Sequence, residues 1–217
     1  MTMMNEEVRH AGVRVHPTKQ RLLEVVIELL DSKNLAEIKS EEVLAKADAV
    51  KGSMYYHFED FSDLLESAQI LSFSRHVEGV LDGLKNILLV TADPQSARSL
   101  FDNEALRRKL NMSQKLRIER FSVVHGAMVS ERMRAKLIPT QENLILRWME
   151  IIDICKSRGW TDDQLDSRSV AILIQGANLS RVIDDISYSH VDSTAWFRTL
   201  TYLLDAFFFG GIKEIQS

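Results

Sequence analysis

The chain has 217 residues and a formal net charge of −4, so its surface as a whole does not attract polyanions, and any nucleic-acid contact has to come from a local basic patch. Apolar residues make up 45%, with only 3 prolines and 9 glycines and no sustained strand alternation, which predicts an all-α fold with a well-buried core. The single cysteine, Cys155, excludes an internal disulfide; it reads as core filling in a reducing compartment rather than as a nucleophile. Met1–Arg14 lacks the apolar centre of a signal peptide, and no stretch approaches the ~20 apolar residues of a membrane span. The expectation is a soluble cytoplasmic protein with no membrane partner.

Residues 1–17 read as an arm. Arg9, Arg14, Lys19 and Arg21, with His10 and His16 and no acids between Val8 and Arg21, suit a solvated tail or one that touches DNA. Thr18 is placed to cap a helix carrying Leu22, Val25, Val26, Leu29 and Leu30 at helical spacing, ending near Lys33 with Asn34 in a left-handed cap. Ser40 is placed to cap a short second helix that buries Val43, Leu44 and Ala47, with Glu41 and Glu42 at its positive end. After the tight turn Asp48-Ala49-Val50 comes Lys51-Gly52-Ser53-Met54-Tyr55-Tyr56-His57-Phe58. Met54 and Phe58 share a helix face and can anchor it, leaving the lysine, the small residues, Tyr55, Tyr56 and His57 outward. Such a set is what a DNA-docking helix needs; a buried aromatic helix is the alternative. A long helix braced against two short ones across a tight turn is a helix-turn-helix arrangement.

Ser62 is placed to start a helix through Leu65, Ala68 and Leu71 that continues toward Leu84 or Val90. Pro94 opens a helix to about Leu110, and Ser113 opens another to about Met128. Pro139 is predicted to interrupt the next segment, after which Leu144, Trp148, Ile151, Ile152 and Cys155 line one helix face, and Gly159-Trp160 closes it with an apolar cap. The last two helices carry Val170, Leu173, Ile174 and Ala177, then Trp196, Phe197, Leu200, Leu203, Leu204, Phe207 and Phe208. Their apolar surface exceeds one core contact, so it fills either this chain's core or half of a four-helix bundle with a second copy.

The run Thr18–Leu65 resembles, without a gap, the N-terminal domain of the TetR family of bacterial transcriptional regulators, most specifically at Lys51-Gly52-Ser53-Met54-Tyr55-Tyr56-His57-Phe58. The resemblance implies a three-helix helix-turn-helix DNA-binding domain at 18–65, after an arm at 1–17, and a helical ligand-binding and dimerisation domain at 66–217. It implies that Lys51 reaches a base edge or phosphate, that Gly52 lets the backbone approach the groove, and that Ser53, Tyr55, Tyr56 and His57 contact the DNA. Ile38 and Lys39 stand where the family often has a threonine before the second helix, so one phosphate contact is expected to move to Lys39 or Ser40. Asp48 stands where the family often has glycine, so that position is expected to be left-handed; Val50 replaces a capping residue and Phe61 a basic one. The partner implied is a double-stranded, approximately palindromic operator read by a homodimer.

The resemblance further implies a small-molecule effector, hydrophobic or aromatic, between the helices of the second domain. Candidate lining residues are Arg117, Phe121, His125, Met128, Trp148, Ile152, Gln175 and Asn178, with Arg117 and His125 as polar contacts. The dimer interface would draw on Leu173, Ala177, Trp196, Leu200, Leu204 and Phe207 of the last two helices. No metal pattern joins the six histidines, Ser122 and His125 lack an oxyanion site, and no glycine-rich phosphate loop occurs, so no enzyme activity, metal or cofactor is expected. The reading is a ligand-responsive regulator, most simply a repressor. The alternative is an all-helical apolar-ligand-binding protein whose head no longer binds DNA.

Overall fold

The computed structural model describes residues 16–101 and 113–210, so most of the basic arm, with Arg9, His10 and Arg14, lies outside the described residues. Among these, nine α-helices form and no strand. They are α1 (Pro17–Ser32), α2 (Ser40–Lys46), α3 (Lys51–His57), α4 (Phe61–Val90), α5 (Pro94–Phe101), α6 (Gln114–Val129), α7 (Glu131–Ser157), α8 (Ser167–Asp185) and α9 (Ser193–Phe209). Two compact units divide between Gln69 and Ile70, within α4. Residues 102–112, into which the helix opened by Pro94 was expected to run, lie outside the described residues.

In the first unit, the helical spacing of α1 buries Leu22, Leu23, Val26, Leu29 and Leu30. Its start differs from expectation. Pro17, which needs no hydrogen bond for its nitrogen, takes the first helical position, and His16 caps by accepting the Thr18 amide on Nδ1 at 3.2 Å. At the other end Lys33 leaves the helix in an extended conformation, so Asn34 is not a left-handed cap. Instead Asn34 opens a 3-10 turn, Leu35–Glu37, and its amide donates to Glu37 Oε2 at 2.8 Å. Lys39 rather than Ser40 precedes α2, without a side-chain cap. The first turn of α4 is closed not by Ser62 but by Asp60, whose Oδ1 accepts the Asp63 amide at 2.7 Å, while Asp63 reaches back to the Glu59 amide at 2.8 Å. Acceptors on both residues satisfy amides that a helix start leaves without partners.

In the second unit one apolar core gathers side chains from α4 through α9, from Ile70 and Phe73 to Phe208 and Phe209. Pro139 does not interrupt α7; the helix runs through it. A proline inside a helix costs about 3 kcal/mol through its missing N–H and its clash with the preceding turn. Each buried side chain of this size returns about 1.5–3 kcal/mol, and Met133, Leu137, Leu144 and Ile145 are buried on the two sides of Pro139. Packing outweighs the local penalty. Leu144, Trp148, Ile151, Ile152 and Cys155 form the buried face that their spacing predicts. Burial also pushes the Cys155 thiol up to about 11. Arg158 ends the helix, Gly159 takes φ +70°, and the amides of Gly159 and Trp160 donate back to Lys156 and Cys155 oxygens at 2.8 and 2.9 Å. This is a Schellman closure, with Trp160 buried as its apolar contact.

An ion pair ties α6 to α8. The Arg117 guanidinium forks onto the Asp185 carboxylate, with Nε to Oδ2 at 2.8 Å, and both side chains are more than nine-tenths buried. The hydrogen bond from Arg117 holds the Asp185 carboxyl below its usual range. Arg117→Ala would leave that carboxylate buried without its fork, and should cost about 3–5 kcal/mol in urea unfolding at pH 7. A depressed folded pKa contributes stability above the unfolded value of about 3.9 and loses it as pH falls through the lower folded value. The difference between wild type and variant should therefore shrink below about pH 4.

Candidate nucleic-acid interface

The turn before α3 decides how that helix is presented. Ala47 ends α2, Asp48 takes φ +45°, and the amides of Asp48 and Ala49 donate to the oxygens of Ala45 and Leu44 at 3.4 and 3.0 Å. The pairing is again that of a Schellman closure, with aspartate in the left-handed position where glycine is easiest. Asp48 is the one non-glycine residue with positive φ among the described residues. Arg21 of α1 reaches across and donates from Nε to the Ala47 oxygen at 3.3 Å, fixing the turn to the long helix.

Two buried residues then set the rotation of α3. Met54 is 1% exposed and Phe58 is 3% exposed, Phe58 closing the helix by donating its amide to the Met54 oxygen at 2.9 Å. With those two inward, Lys51, Gly52, Tyr55 and Tyr56 face solvent, and Ser53 and His57 are half-buried. Tyr56 is 82% exposed, far more than an unpartnered tyrosine in a core helix could be. A Cβ added at Gly52 would meet nothing within 4 Å, so the outward surface there is open for close approach. Lys51 Nζ lies 5.8 Å from the centre of the Tyr55 ring, a cation–π contact that holds the lysine over the helix start. Lys39 is exposed and Ser40 half-buried at the start of α2.

Three groups join this set that the spacing within α3 could not give. His16 lies against His57, with ring centres 4.7 Å apart, and Lys19 sits 5.4 Å over the Phe58 ring, so the start of α1 adds basic groups beside the end of α3. Partial burial, and then the charges of His16 and Lys19, push the His57 imidazole down from its usual value, so it is neutral at pH 7. Glu41 is the third. Its carboxyl is held below the usual range by its own backbone amide and the Ser40 hydroxyl, and further by Lys51 and Lys39. An ionised acid therefore stands among the outward lysines; the only sequence signal for it was its position at the start of α2.

In the second unit the expected pocket residues part company. Arg117 is engaged by Asp185. Phe121, His125 and Met128 lie on the exposed side of α6, the Phe121 and His125 rings stacked at 6.3 Å. Trp148 and Ile152 belong to the core, and buried Gln175 accepts from Gln141 Nε2 at 2.9 Å. Asn178 lies in α8, its side chain outside the described residues. The reason is that α6 inverts the usual pattern: Arg117 and Arg120 are buried with Val123 and Ala127, while Ile118, Phe121, Met128 and Val129 are exposed. Arg120, which the sequence reading did not single out, is buried on the same face, three residues from Arg117 and from Val123.

Of the expected interface residues, Leu200 and Leu204 are buried in this chain's own core. Leu173 is 56% exposed, and Ala177, Trp196 and Phe207 are half-buried. Ile172 and Ile183 on α8, and Tyr202 and Leu203 on α9, are also exposed, so the outward apolar surface of these helices is shifted from the expected one.

The architecture defines a class: an N-terminal helix-turn-helix unit followed by a second all-helical unit. No family model and no curated protein matches the sequence. Solved structures that do match include a TetR-family transcriptional regulator from Mesorhizobium loti, at 16% identity and a TM-score of 0.63 over 87% of this chain and 94% of that one. A TetR-family regulator from Cytophaga hutchinsonii matches at 15% identity and a TM-score of 0.60, over 91% of this chain and 96% of that one. NemR of E. coli in its reduced form matches at 15% identity and a TM-score of 0.58, over 90% of this chain and 100% of that one. The fold of this chain is therefore that of the TetR-family transcriptional regulators.

The turn supplies a test. Asp48→Gly should fold at least as well as wild type, whereas Asp48→Val, β-branched in a left-handed position, should cost about 1–2 kcal/mol in chemical denaturation. Equal stability of the two variants would show that the turn does not impose its conformation on the residue.

Proposed function

We propose that the chain is a homodimeric DNA-binding transcriptional regulator, most simply a repressor, whose operator affinity is changed by a small molecule bound in the second unit. The observation that carries the reading is the outward side of α3: a lysine, an open glycine and two exposed tyrosines on a helix anchored by Met54 and Phe58. In this reading Lys51 donates to guanine acceptors or phosphate, Gly52 admits the backbone to the groove, and Ser53, Tyr55, Tyr56, Lys39 and Ser40 supply phosphate and sugar contacts. Glu41 penalises phosphate near the lysines and can accept from a cytosine amine, so it acts on selectivity rather than strength. The similarity in fold to TetR-family regulators supports the same reading.

A two-fold pair of such heads reads an approximately palindromic site, with half-sites in successive turns of the groove. We assign the dimer contact to the outward faces of α8 and α9, around Ile172, Leu173, Tyr202 and Leu203. An effector that favours a different arrangement of the heads from the one DNA favours weakens DNA binding, and DNA weakens effector binding by the same factor.

Fluorescence anisotropy against DNA from the gene's own upstream region, or against genomic fragments selected by the protein, tests the reading. Lys51→Ala and Tyr55→Ala should each weaken binding by about 1–3 kcal/mol while leaving the fold intact, and the wild-type affinity should fall steeply with salt. Two variants that bind like wild type would remove α3 from the interface. Because His57 is neutral at pH 7, a phosphate contact through it should strengthen binding as pH falls below about 6.5, and His57→Gln should reduce that gain. The assembly is tested separately: Leu203→Glu should convert a dimer to monomers in sedimentation, and a dimer that persists would move the contact elsewhere.

A further inference from the structure

We propose that the second unit binds its effector as a monoanion, a carboxylate-bearing small molecule with an apolar body, held by the guanidinium of Arg120. The inference rests on the reading of that unit as effector-binding and names the chemistry the effector must carry.

Arg120 is 5% exposed, on α6, with its guanidinium carbon 5.2 Å from the centre of the Phe73 ring. Among the described residues Nε has no hydrogen-bond partner, and no neighbouring charge acts on the guanidinium. The contrast with its neighbour is direct: Arg117, also buried, forks onto Asp185. Burial without a counter-charge pushes the Arg120 guanidinium down to about 10, which leaves it charged at pH 7. A buried cation with no counter-ion is costly, and proteins keep one where a ligand supplies the missing charge. Two further buried donors on the helices that pack against α6 lack acceptors, Trp148 Nε1 on α7 and Gln175 Nε2 on α8. Each has a polar atom that can only give a proton to a hydrogen bond, so what is missing is an acceptor.

Water can satisfy an indole or an amide N–H, but it cannot neutralise a guanidinium. An anion can do both. One positive charge balances a monoanion, whereas a dianion would carry an uncompensated charge into the core. A carboxylate fits the guanidinium fork. The core of this unit, which includes Phe73, Val123, Trp148 and Ile152, suits an apolar remainder. The expected polar contacts Arg117 and His125 are respectively engaged and exposed, so the role falls to Arg120.

The test uses the full chain and three probes: benzoate, 1-naphthoate and the neutral 1-naphthamide, read by calorimetry and by thermal melting. We expect a carboxylate to bind and raise the melting midpoint, with the amide binding at least tenfold more weakly. Arg120→Met should weaken the carboxylate by about ten- to a hundredfold, the loss of a charged hydrogen bond. Without probe the Met variant should melt no lower than wild type, because a merely structural arginine would leave it less stable. Arg120→Lys, which keeps the charge and loses the fork, should fall between the two, and serves if the Met variant does not fold. Equal binding of naphthoate and naphthamide, unchanged carboxylate affinity in both variants, or no carboxylate binding to wild type would overturn the proposal. DNA plays no part in these measurements. Carboxylate binding by a chain that fails every DNA test would sink the regulator and keep the anion site; DNA binding without carboxylate binding would do the reverse.

Discussion

Burial of Met54 and Phe58 is the constraint on which the candidate interface depends. A seven-residue helix cannot hold itself in water, since helices below about 12–15 residues are marginal even for favourable sequences. Its persistence comes from tertiary anchoring, and the anchor simultaneously selects which residues face out. Rotating α3 by the ~100° of one residue would bury a tyrosine hydroxyl or a lysine and expose Met54, an exchange unfavourable on both counts. The orientation of Lys51, Gly52, Tyr55 and Tyr56 is thus a consequence of hydrophobic burial. The turn at Asp48 contributes the other half: it fixes where α3 starts, and Arg21 secures it from α1.

The second unit solves a different problem. Its long helices bury enough apolar surface to tolerate features that short helices could not: a proline within α7 and arginines within α6. Arg117 is stabilised by a partner on another helix, which gives that contact directionality that apolar packing lacks. Trp160 and Phe209 rings lie 5.8 Å apart, and Thr161 donates to the Phe208 oxygen at 3.0 Å, so the segment after α7 is joined to the end of α9. Arg158 donates to the oxygens of Leu88 and Thr91 at 2.7 and 2.8 Å, satisfying carbonyls at the end of α4 that the helix itself cannot.

What the sequence made legible were features with local causes. Met54 and Phe58 at four-residue spacing, the apolar face of α7, the closure at Gly159-Trp160 and the left-handed backbone at Asp48 all follow from periodicity or backbone sterics. Pro139 was misread because its penalty is local and its compensation is not: the burial on either side depends on other helices. The starts of α1, α2 and α4 fall one or two residues earlier than read: His16 and Asp60 supply the acceptors that cap α1 and α4, Pro17 takes the first helical position of α1, and α2 begins after Lys39 with no side-chain cap. The expected pocket residues divide between core and surface for a sharper reason. On α6 apolarity and burial run opposite to each other, so a rule that puts Phe121 and Met128 inside and arginines outside selects the wrong face. Leu200 and Leu204 were apolar as read, but periodicity does not say whether a face meets this chain or another.

The lone thiol gives the second unit a clock. Cys155 has no exposed surface, and burial keeps it protonated to about 11, so a thiol reagent has neither access nor a thiolate to attack while the core is closed. Modification therefore proceeds through opening of the core around α7, and where reclosing is fast its rate measures the population of the open state. Anything that binds the closed form slows the reaction in proportion to its occupancy. A single residue that does no chemistry in the native state can in this way report, without any label being introduced, how tightly the interior of the unit is held.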